Sequence, residues 1–218
     1  MKWRIKLALV VLILIMFFST SSYYFSRSIE PLLIATAKQE VQSSLNQLIH
    51  HCVSAIEYEP KDLLHIVYDD KTQVQSVQVD SRLLNDILYD AMSSVNESLR
   101  LAIEGEVDPI TQQVYFDSGV VDYIPLGAFT NIAAFSEFGP KLKIKIRMIN
   151  RVSGTYEISN EEYGINSTLL KIAIKIEVVA EVFAGISRET IHLEEEIPIV
   201  LQLLQGNVPT YVPYLKQG

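Results

Sequence analysis

The sequence of 218 residues carries 18 basic and 26 acidic side chains, for a net charge of −8, and it contains a single cysteine. An acidic balance argues against general nucleic-acid binding, which requires a basic surface. One cysteine excludes a disulfide within the chain. The length suits one domain with a core of its own once the N-terminal segment is set aside.

The first 25 residues have the composition of a membrane-inserted helix, with a charged start, an apolar run and an aromatic end. The apolar run extends from Leu7 to Phe18. Counted from Ile5 to Phe25, the span reaches the roughly 20 residues that a bilayer requires. Cations before the run predict a cytoplasmic amino terminus and export of the rest of the chain. These cations are Lys2, Arg4 and Lys6.

A cleavable signal peptide is the alternative interpretation, because a short, strictly apolar core is also typical of that class. Residues 19–22 are serines and a threonine, but bulky aromatic residues follow them and no good small-residue cleavage site is present. We therefore expect an uncleaved anchor. It divides the chain into a cytoplasmic stub and anchor at residues 1–27 and one exported domain at residues 28–218.

A long amphipathic helix is predicted directly after the anchor. Apolar residues at spacings of three and four occupy one face from Ile29 to Ile56. Pro31 fits the first turn of such a helix. Cys52 falls on the apolar face, so we interpret it as a small core residue rather than a nucleophile.

A β-hairpin and a second helix are predicted next. Residues 63–79 contain two β-prone arms around a polar centre, and the second arm changes face near Ser76, which predicts a bulge. Asp80 is a suitable N-cap for the following helix. The apolar stripe of that helix extends from Leu83 to Ile103.

The rest of the sequence is predicted to form an antiparallel sheet. Residues 105–121 are expected to be a loop with one short strand at Gln113–Phe116. Pro198 predicts an edge position or a bulge in the final strand. Together with the two helices this order predicts an α+β fold. The strands are expected at residues 141–148, 152–158, 167–183 and 187–204, the last two as a hairpin turning at Ala184–Ile186.

Motifs of catalytic, metal and cofactor sites are missing from the sequence. None of the histidines has a partner at metal-ligand spacing. Neither a nucleophile elbow nor a phosphate or dinucleotide loop occurs. We therefore predict no enzymatic activity, no metal and no cofactor. The histidines are His50, His51, His65 and His192.

Acidic residues offer the one remaining route to catalysis, since paired carboxylates hydrolyse glycosidic bonds. Glu161 and Glu162 are expected in a turn. In the run from Glu194 to Glu196, only the first and last residues share a face of a strand. A solvated acidic edge is the simpler interpretation. A cell-wall-modifying enzyme is kept as the weaker alternative.

A row of cations on one predicted strand is the sharpest polar feature of the exported part. Alternation with apolar residues places these cations on a single face, which we call the basic stripe. The simpler interpretation is the wet face of a half-buried sheet. The functional one is docking of an acidic partner, either lipid headgroups, an anionic wall polymer or a second copy of the chain. The basic stripe consists of Lys141, Lys143, Lys145 and Arg147.

Four phrases stand out in the second half of the sequence: Ile124–Gly127 with Thr130, Phe138–Leu142, Tyr163–Asn166, and Gln205–Pro209 before Tyr211. Together with Ile29–Leu33 after the anchor, they are similar to the sporulation protein YunB family of endospore-forming Firmicutes. Asn131 departs from the family pattern, which usually has glycine there.

The resemblance implies a role in spore formation for a single-pass protein of the cell membrane. Its C-terminal domain is expected outside the cytoplasm, in the mother-cell-derived membrane around the forespore. The family carries over no catalytic residue. We interpret its motif positions as structural, because glycine and proline set turns and extended segments. They are Pro125, Leu126, Gly127, Gly139, Pro140, Gly164, Asn166, Gly206 and Pro209.

The expected activity is binding or assembly rather than catalysis. The expected partners are the membrane, other envelope or sporulation proteins and a second copy of the chain, and nucleic acid is not among them. A module that binds wall polymer or lipid through the basic stripe is the alternative.

Overall fold

The computed structural model describes residues 2–24, 27, 29–68, 74–129, 133–149, 151–162 and 167–205. Their mixture of helices and antiparallel strands confirms the α+β class. The α-helices are α1 (Lys2–Tyr24), α2 (Glu30–Ser54), α3 (Pro60–Leu63) and α4 (Ser81–Glu104). The strands are β1 (Leu64–Tyr68), β2 (Val74–Val79), β3 (Val120–Pro125), β4 (Lys141–Met148), β5 (Ser153–Glu162), β6 (Ser167–Ala184) and β7 (Ser187–Gln205).

The chain divides into two compact units, each assembled from three segments. The prediction of one exported domain from residue 28 onward stays a prediction. The first unit comprises Met1–Asn46, Arg100–Asn150 and Val179–His192. The second comprises Gln47–Leu99, Arg151–Val178 and Leu193–Gly218.

The N-terminal segment of the first unit is helical, as its composition predicted. Large apolar side chains of α1, from Leu9 to Phe18, are all exposed. Within the residues that the structure describes, no helix combines the length and the apolarity needed to cross a membrane. The anchor and its orientation therefore stay predictions.

The sheet of the first unit is formed by β3, β4 and the last residues of β6. β4 pairs antiparallel with both neighbours, in registers that include Ile124↔Leu142 and Ile144↔Ala184. The N-terminal half of α2 adds one buried side chain on each successive turn of the helix, as its periodicity predicted. The buried apolar residues of this unit include Leu33, Ala37, Val41, Leu45, Ile144, Ile146, Val182 and Ala184.

The short strand predicted at Gln113–Phe116 is wrong. Asp108 closes that segment into a turn: its Oδ1 accepts from the Ile110 N–H at 2.8 Å, and its own N–H donates to the Gln113 carbonyl at 2.9 Å. The strand lies further on, at Val120–Pro125, where pairing with β4 is available.

The hairpin of the second unit has the shape that the sequence predicted. β1 and β2 pair antiparallel, and the register shifts between Val67↔Ser76 and Tyr68↔Val74. The extra residue bulges beside Ser76, as expected. Asp80 is confirmed as a cap, because its Oδ1 accepts from the N–H groups of Arg82 and Leu83 at 2.9 and 3.1 Å.

The core of the second unit is formed by the second half of α2, by α4 and by the inner face of β6. Cys52 is fully buried, and its thiol donates to the Ser98 hydroxyl at 3.2 Å. β5 pairs with β6 from Ser153↔Glu177 to Glu162↔Thr168. The prediction that Glu161 and Glu162 lie in a turn is therefore wrong, since pairing extends the strand through them. Fully buried residues include Leu48, Ile49, Leu84, Leu99, Ile172, Ile174 and Ile176.

Candidate interaction surface

The basic stripe lies on the exposed face of β4. Burial alternates along the strand, with Ile144 and Ile146 inside and the four cations at the surface. Alternate side chains of a strand lie about 7 Å apart. The basic stripe is therefore a linear array of charge on one sheet face of the first unit.

Aromatic rings from both neighbouring strands lie under this array. The Lys143 ammonium lies 5.9 Å from the ring centroid of Tyr123 on β3. The Arg147 guanidinium lies 5.6 Å from the ring centroid of Phe183 on β6. Such contacts stabilise an exposed pair by about 0.5–1 kcal/mol. Because they hold the cations over flat apolar surfaces, the stripe offers both charge and stacking area.

Charge compensation differs along the basic stripe. Arg147 forms an ion pair with Glu181, its cross-strand partner on β6. In the described part of the chain, no carboxylate lies within ion-pair distance of Lys141, Lys143 or Lys145. Three neighbouring charges therefore remain available to an acidic partner.

Two of the motif phrases form one structural cluster at the end of β3 and β4. The Leu126 N–H donates to the Pro140 carbonyl at 3.1 Å, and the Gly127 N–H donates to the Phe138 carbonyl at 2.8 Å. A Cβ on Gly127 would overlap with the carbonyl oxygens of Phe135 and Phe138, so only glycine fits. The motif is therefore structural at this position.

The remaining motif residues either belong to this loop and its flanking strand or fall outside the residues that the structure describes. Gly139 has a φ of +98°, which favours glycine. Pro125 is the last residue of β3 and is opposite Lys141. The expectations for Thr130, Asn131, Gly164, Asn166, Gly206 and Pro209 fall outside the described residues.

Of the glutamates considered for catalysis, Glu196 is held in an ion pair with a lysine in the second unit, and Glu157 on β5 forms a second pair of the same kind. Lys171 Nζ lies 2.5 Å from Glu196, and Lys175 Nζ lies 2.5 Å from Glu157. These hydrogen bonds raise the pKa of each lysine, and the bond from Lys171 lowers the pKa of Glu196. Cross-strand ion pairs therefore join β5, β6 and β7 on one sheet face, and the paired side chains stay partly exposed to solvent.

The other faces of the second unit carry a further ion pair and an open cavity in the described residues. Glu195 lies on the opposite face of β7 from Glu196 and contacts His50 Nε2 at 2.8 Å. An open cavity of about 270 Å³ lies beside Lys175. Where the structure is described, no group of three metal-ligating side chains occurs. The lining of the cavity includes Ser153, Gly154, Thr155, Glu177 and Glu194.

Comparisons with known proteins agree with the motif resemblance. The family model described as Sporulation protein YunB matches residues 121–211, which include the basic stripe and the motif cluster. A Bacillus subtilis (strain 168) protein named Sporulation protein YunB is 20% identical over 212 residues, covering 96% of this chain and 82% of that protein. No solved structure matches the chain. The resemblance of this chain to the sporulation protein YunB family is thereby confirmed.

Proposed function

We propose that this chain is a non-enzymatic, single-pass membrane protein of sporulation that acts by binding or assembly at the envelope between mother cell and forespore. The sporulation role rests on the family match and on the name of the Bacillus subtilis relative. The membrane role rests on the surface of α1.

The exposed apolar surface of α1 is the observation that carries the membrane part of the proposal. Every large side chain from Leu9 to Phe18 is between 47% and 72% exposed. A helix that is apolar on all sides is unfavourable in water and requires a lipid or protein environment. Lipid is the occupant that the cations at its start and the polar residues at its end favour.

The two ends of α1 support the same proposal. Trp3 and Tyr23 are exposed near the ends and are separated by about 30 Å of helix at 1.5 Å per residue, close to the hydrocarbon thickness of a bilayer. Tryptophan and tyrosine favour the two interfaces. Arg27 donates to the Tyr23 hydroxyl at 2.6 Å, which holds a cation at the end of the helix.

The polar residues within α1 are also compatible with lipid. The Thr20 hydroxyl donates back to the Met16 carbonyl at 2.8 Å. A hydroxyl that the helix itself satisfies can be accommodated where no water is present.

The test is microscopy of an amino-terminal fluorescent fusion of the full chain in a sporulating host. We expect the signal in mother-cell membranes, gathering around the forespore. Leu12→Arg places a charge within the span, which costs roughly 3 kcal/mol of insertion free energy, and should move the signal to the cytoplasm. Leu12→Ala is the matched control. A uniform signal in the membrane of growing cells would contradict the sporulation role.

A module that binds an anionic wall polymer or lipid is the second candidate, and the uncompensated lysines of the basic stripe favour it. Polyanions are bound by arrays of cations with stacking surface between them. Sedimentation with insoluble cell wall tests this function. Lys143→Glu should reduce the bound fraction, whereas Lys61→Glu, an exposed charge reversal in the second unit, should leave it unchanged.

A wall-modifying enzyme is the weakest candidate. Glycoside hydrolysis needs two convergent carboxylates that are free to exchange protons. Of the glutamates considered for catalysis, Glu196 instead contacts Lys171. If alanine at Glu194 and Glu196 abolished sporulation without changing stability, the enzyme would gain support.

A further inference from the structure

A highly exposed isoleucine occupies the tip of the β6–β7 hairpin. Ile186 is 93% exposed in a two-residue turn, a position that polar residues and glycine normally occupy. Leu142 on β4 lies beside this turn, since a Cβ at Gly185 would lie 3.9 Å from its Cδ2. The register Ile144↔Ala184 also places the start of β4 opposite the turn.

Two aromatic side chains lie in the loop that leads into the same end of β4. Phe135 and Phe138 are 49% and 70% exposed, and their rings meet edge to face at 6.2 Å. Hydrogen bonds from Leu126 and Gly127 hold this loop in place. We call Phe135, Phe138 and Ile186 the apolar tip of the first unit.

The hairpin that carries Ile186 is connected to α1 through a contact with the start of α2. The Ser187 hydroxyl donates to Glu30 Oε1 at 2.6 Å, so the hairpin contacts the first residue of α2. Glu30 follows the end of α1 at Tyr24 by six residues, which reach at most about 20 Å when fully extended. If α1 is in a bilayer, the hairpin is held close to its surface.

Charged groups near the apolar tip are of both signs. Lys141 and Arg188 are exposed beside it, and Glu137 is the exposed acidic residue of the loop. The next acidic residue of β7, Glu189, is paired with Lys38 at 2.6 Å. In the part of the chain that the structure describes, neither cation forms an ion pair, and Glu137 and Glu30 supply opposing negative charge near them.

We infer that the apolar tip docks onto the surface of the bilayer that holds α1, with Lys141 and Arg188 contacting anionic lipid headgroups. This inference rests on the membrane part of the proposed function and adds a second membrane contact. Aromatic and aliphatic side chains beside cations are the composition that interfacial membrane contacts use. We assign the bilayer as the occupant because the hydrogen bond from Ser187 to Glu30 holds the hairpin within six residues of chain, about 20 Å, of the end of α1.

The experiment uses the full chain in vesicles of phosphatidylcholine and phosphatidylglycerol. Cys52→Ser removes the one native thiol and keeps a hydroxyl that can donate to Ser98. Ile186→Cys then carries a nitrobenzoxadiazole probe, read by emission wavelength and by quenching with spin-labelled lipid. Val107→Cys is the matched control: it replaces an apolar residue that is 56% exposed, in the loop that meets β4 at Ile146 instead of at Lys141.

We expect a blue shift and lipid quenching at position 186 and neither at position 107. Lys141→Gln with Arg188→Gln should weaken the quenching in vesicles that contain phosphatidylglycerol, by roughly fivefold per cation in the attachment equilibrium. Glu137→Gln should strengthen it. If the extent of quenching did not change with the phosphatidylglycerol content of the vesicles, the proposed contact with anionic headgroups would be overturned.

Flotation of the same vesicles separates the two proposals. If the chain does not float with the vesicles, both the anchor and the docking fail. If it floats but the probe at position 186 is as wet and unquenched as that at position 107, the docking fails and the anchor stands. A blue shift without lipid quenching would assign the apolar tip to a protein contact and overturn the inference.

Discussion

Gly127 and Phe138 are joined by a backbone hydrogen bond of 2.8 Å, donated by the Gly127 N–H to the Phe138 carbonyl oxygen. This bond connects the end of β3 to the loop before β4, and it explains why two separate motif phrases occur together. The loop carries Phe138 at its surface, and β4 carries the basic stripe. One glycine therefore fixes the geometry beside both proposed contact surfaces.

Gly127→Ala should destabilise the first unit strongly. Its Cβ would overlap with two carbonyl oxygens of the backbone, which cannot move without breaking the loop. We expect a loss of about 3 kcal/mol in the free energy of unfolding, measured by chemical denaturation of the full chain. Gly139→Ala meets only a strained φ and should cost about 1–2 kcal/mol. Equal losses in the two variants would contradict the overlap.

Asp80→Ala should weaken the start of α4. The carboxylate accepts from two N–H groups that the helix leaves without partners, at Arg82 and Leu83. Removing it should cost about 1 kcal/mol of unfolding free energy. The control is Asp86→Ala on the exposed side of the same helix, which should be neutral or slightly stabilising because alanine has the higher helix propensity.

Local patterns were sufficient to predict the three long helices and the β1–β2 hairpin, but not the single-turn helix α3 or the contacts between distant segments. The apolar spacing of α2 and α4 is a property of each helix alone and predicts its buried face. Asp80 caps α4 through hydrogen bonds to residues two and three positions along the chain. β3 contains strand-forming residues such as Val120 and Ile124, but Asp122 and Pro125 interrupt the pattern, and its pairing with β4 is a contact between distant segments. The false strand at Gln113–Phe116 failed because the Asp108 side chain closes that loop.

The exposure of the basic stripe could be predicted from the sequence, but its contacts with neighbouring strands could not. Alternation alone placed the basic stripe at the surface. The pairing of Arg147 with Glu181 and the rings of Tyr123 and Phe183 depend on the registers of three strands, which alternation does not specify. The apolar tip was missed, although an isoleucine in a two-residue turn was a visible signal.

Stability should depend on pH through the ion pairs of the second unit. The pKa of Glu196 is lowered by its hydrogen bond with Lys171, so its contribution is present above the ordinary value of 4.5 and is lost as the pH falls through the lowered pKa. The pKa values of Lys171 and Lys175 are raised, so their contributions are lost only as the pH rises above 10.5.

Lys171→Gln tests how the Lys171–Glu196 pair contributes to the loss of stability at low pH. Without that hydrogen bond the pKa of Glu196 should move back toward its ordinary value, and acidification should cost the variant less stability than the wild type. Thermal denaturation at pH 7 and pH 3 measures the difference. Lys141→Gln removes a lysine without a described ion pair and should keep the wild-type acid dependence. The same acid dependence in all three proteins would contradict the role of the pair.

Self-association of the chain is the remaining function proposed for the basic stripe. If the stripe binds a second copy, added salt should weaken that association, whereas a stripe that is only the solvated face of the sheet should show no such effect. Three lysines without described carboxylate partners should attract the acidic surface of a second copy, an interaction that salt screens within about 8–10 Å. Light scattering of the full chain in detergent should show an oligomer that Lys143→Glu and added salt both dissociate. Glu181 already neutralises Arg147, so Arg147→Gln should weaken assembly less than Lys143→Glu. A species whose mass stays monomeric at high concentration and low salt would exclude the second copy and leave lipid or wall polymer as the partner.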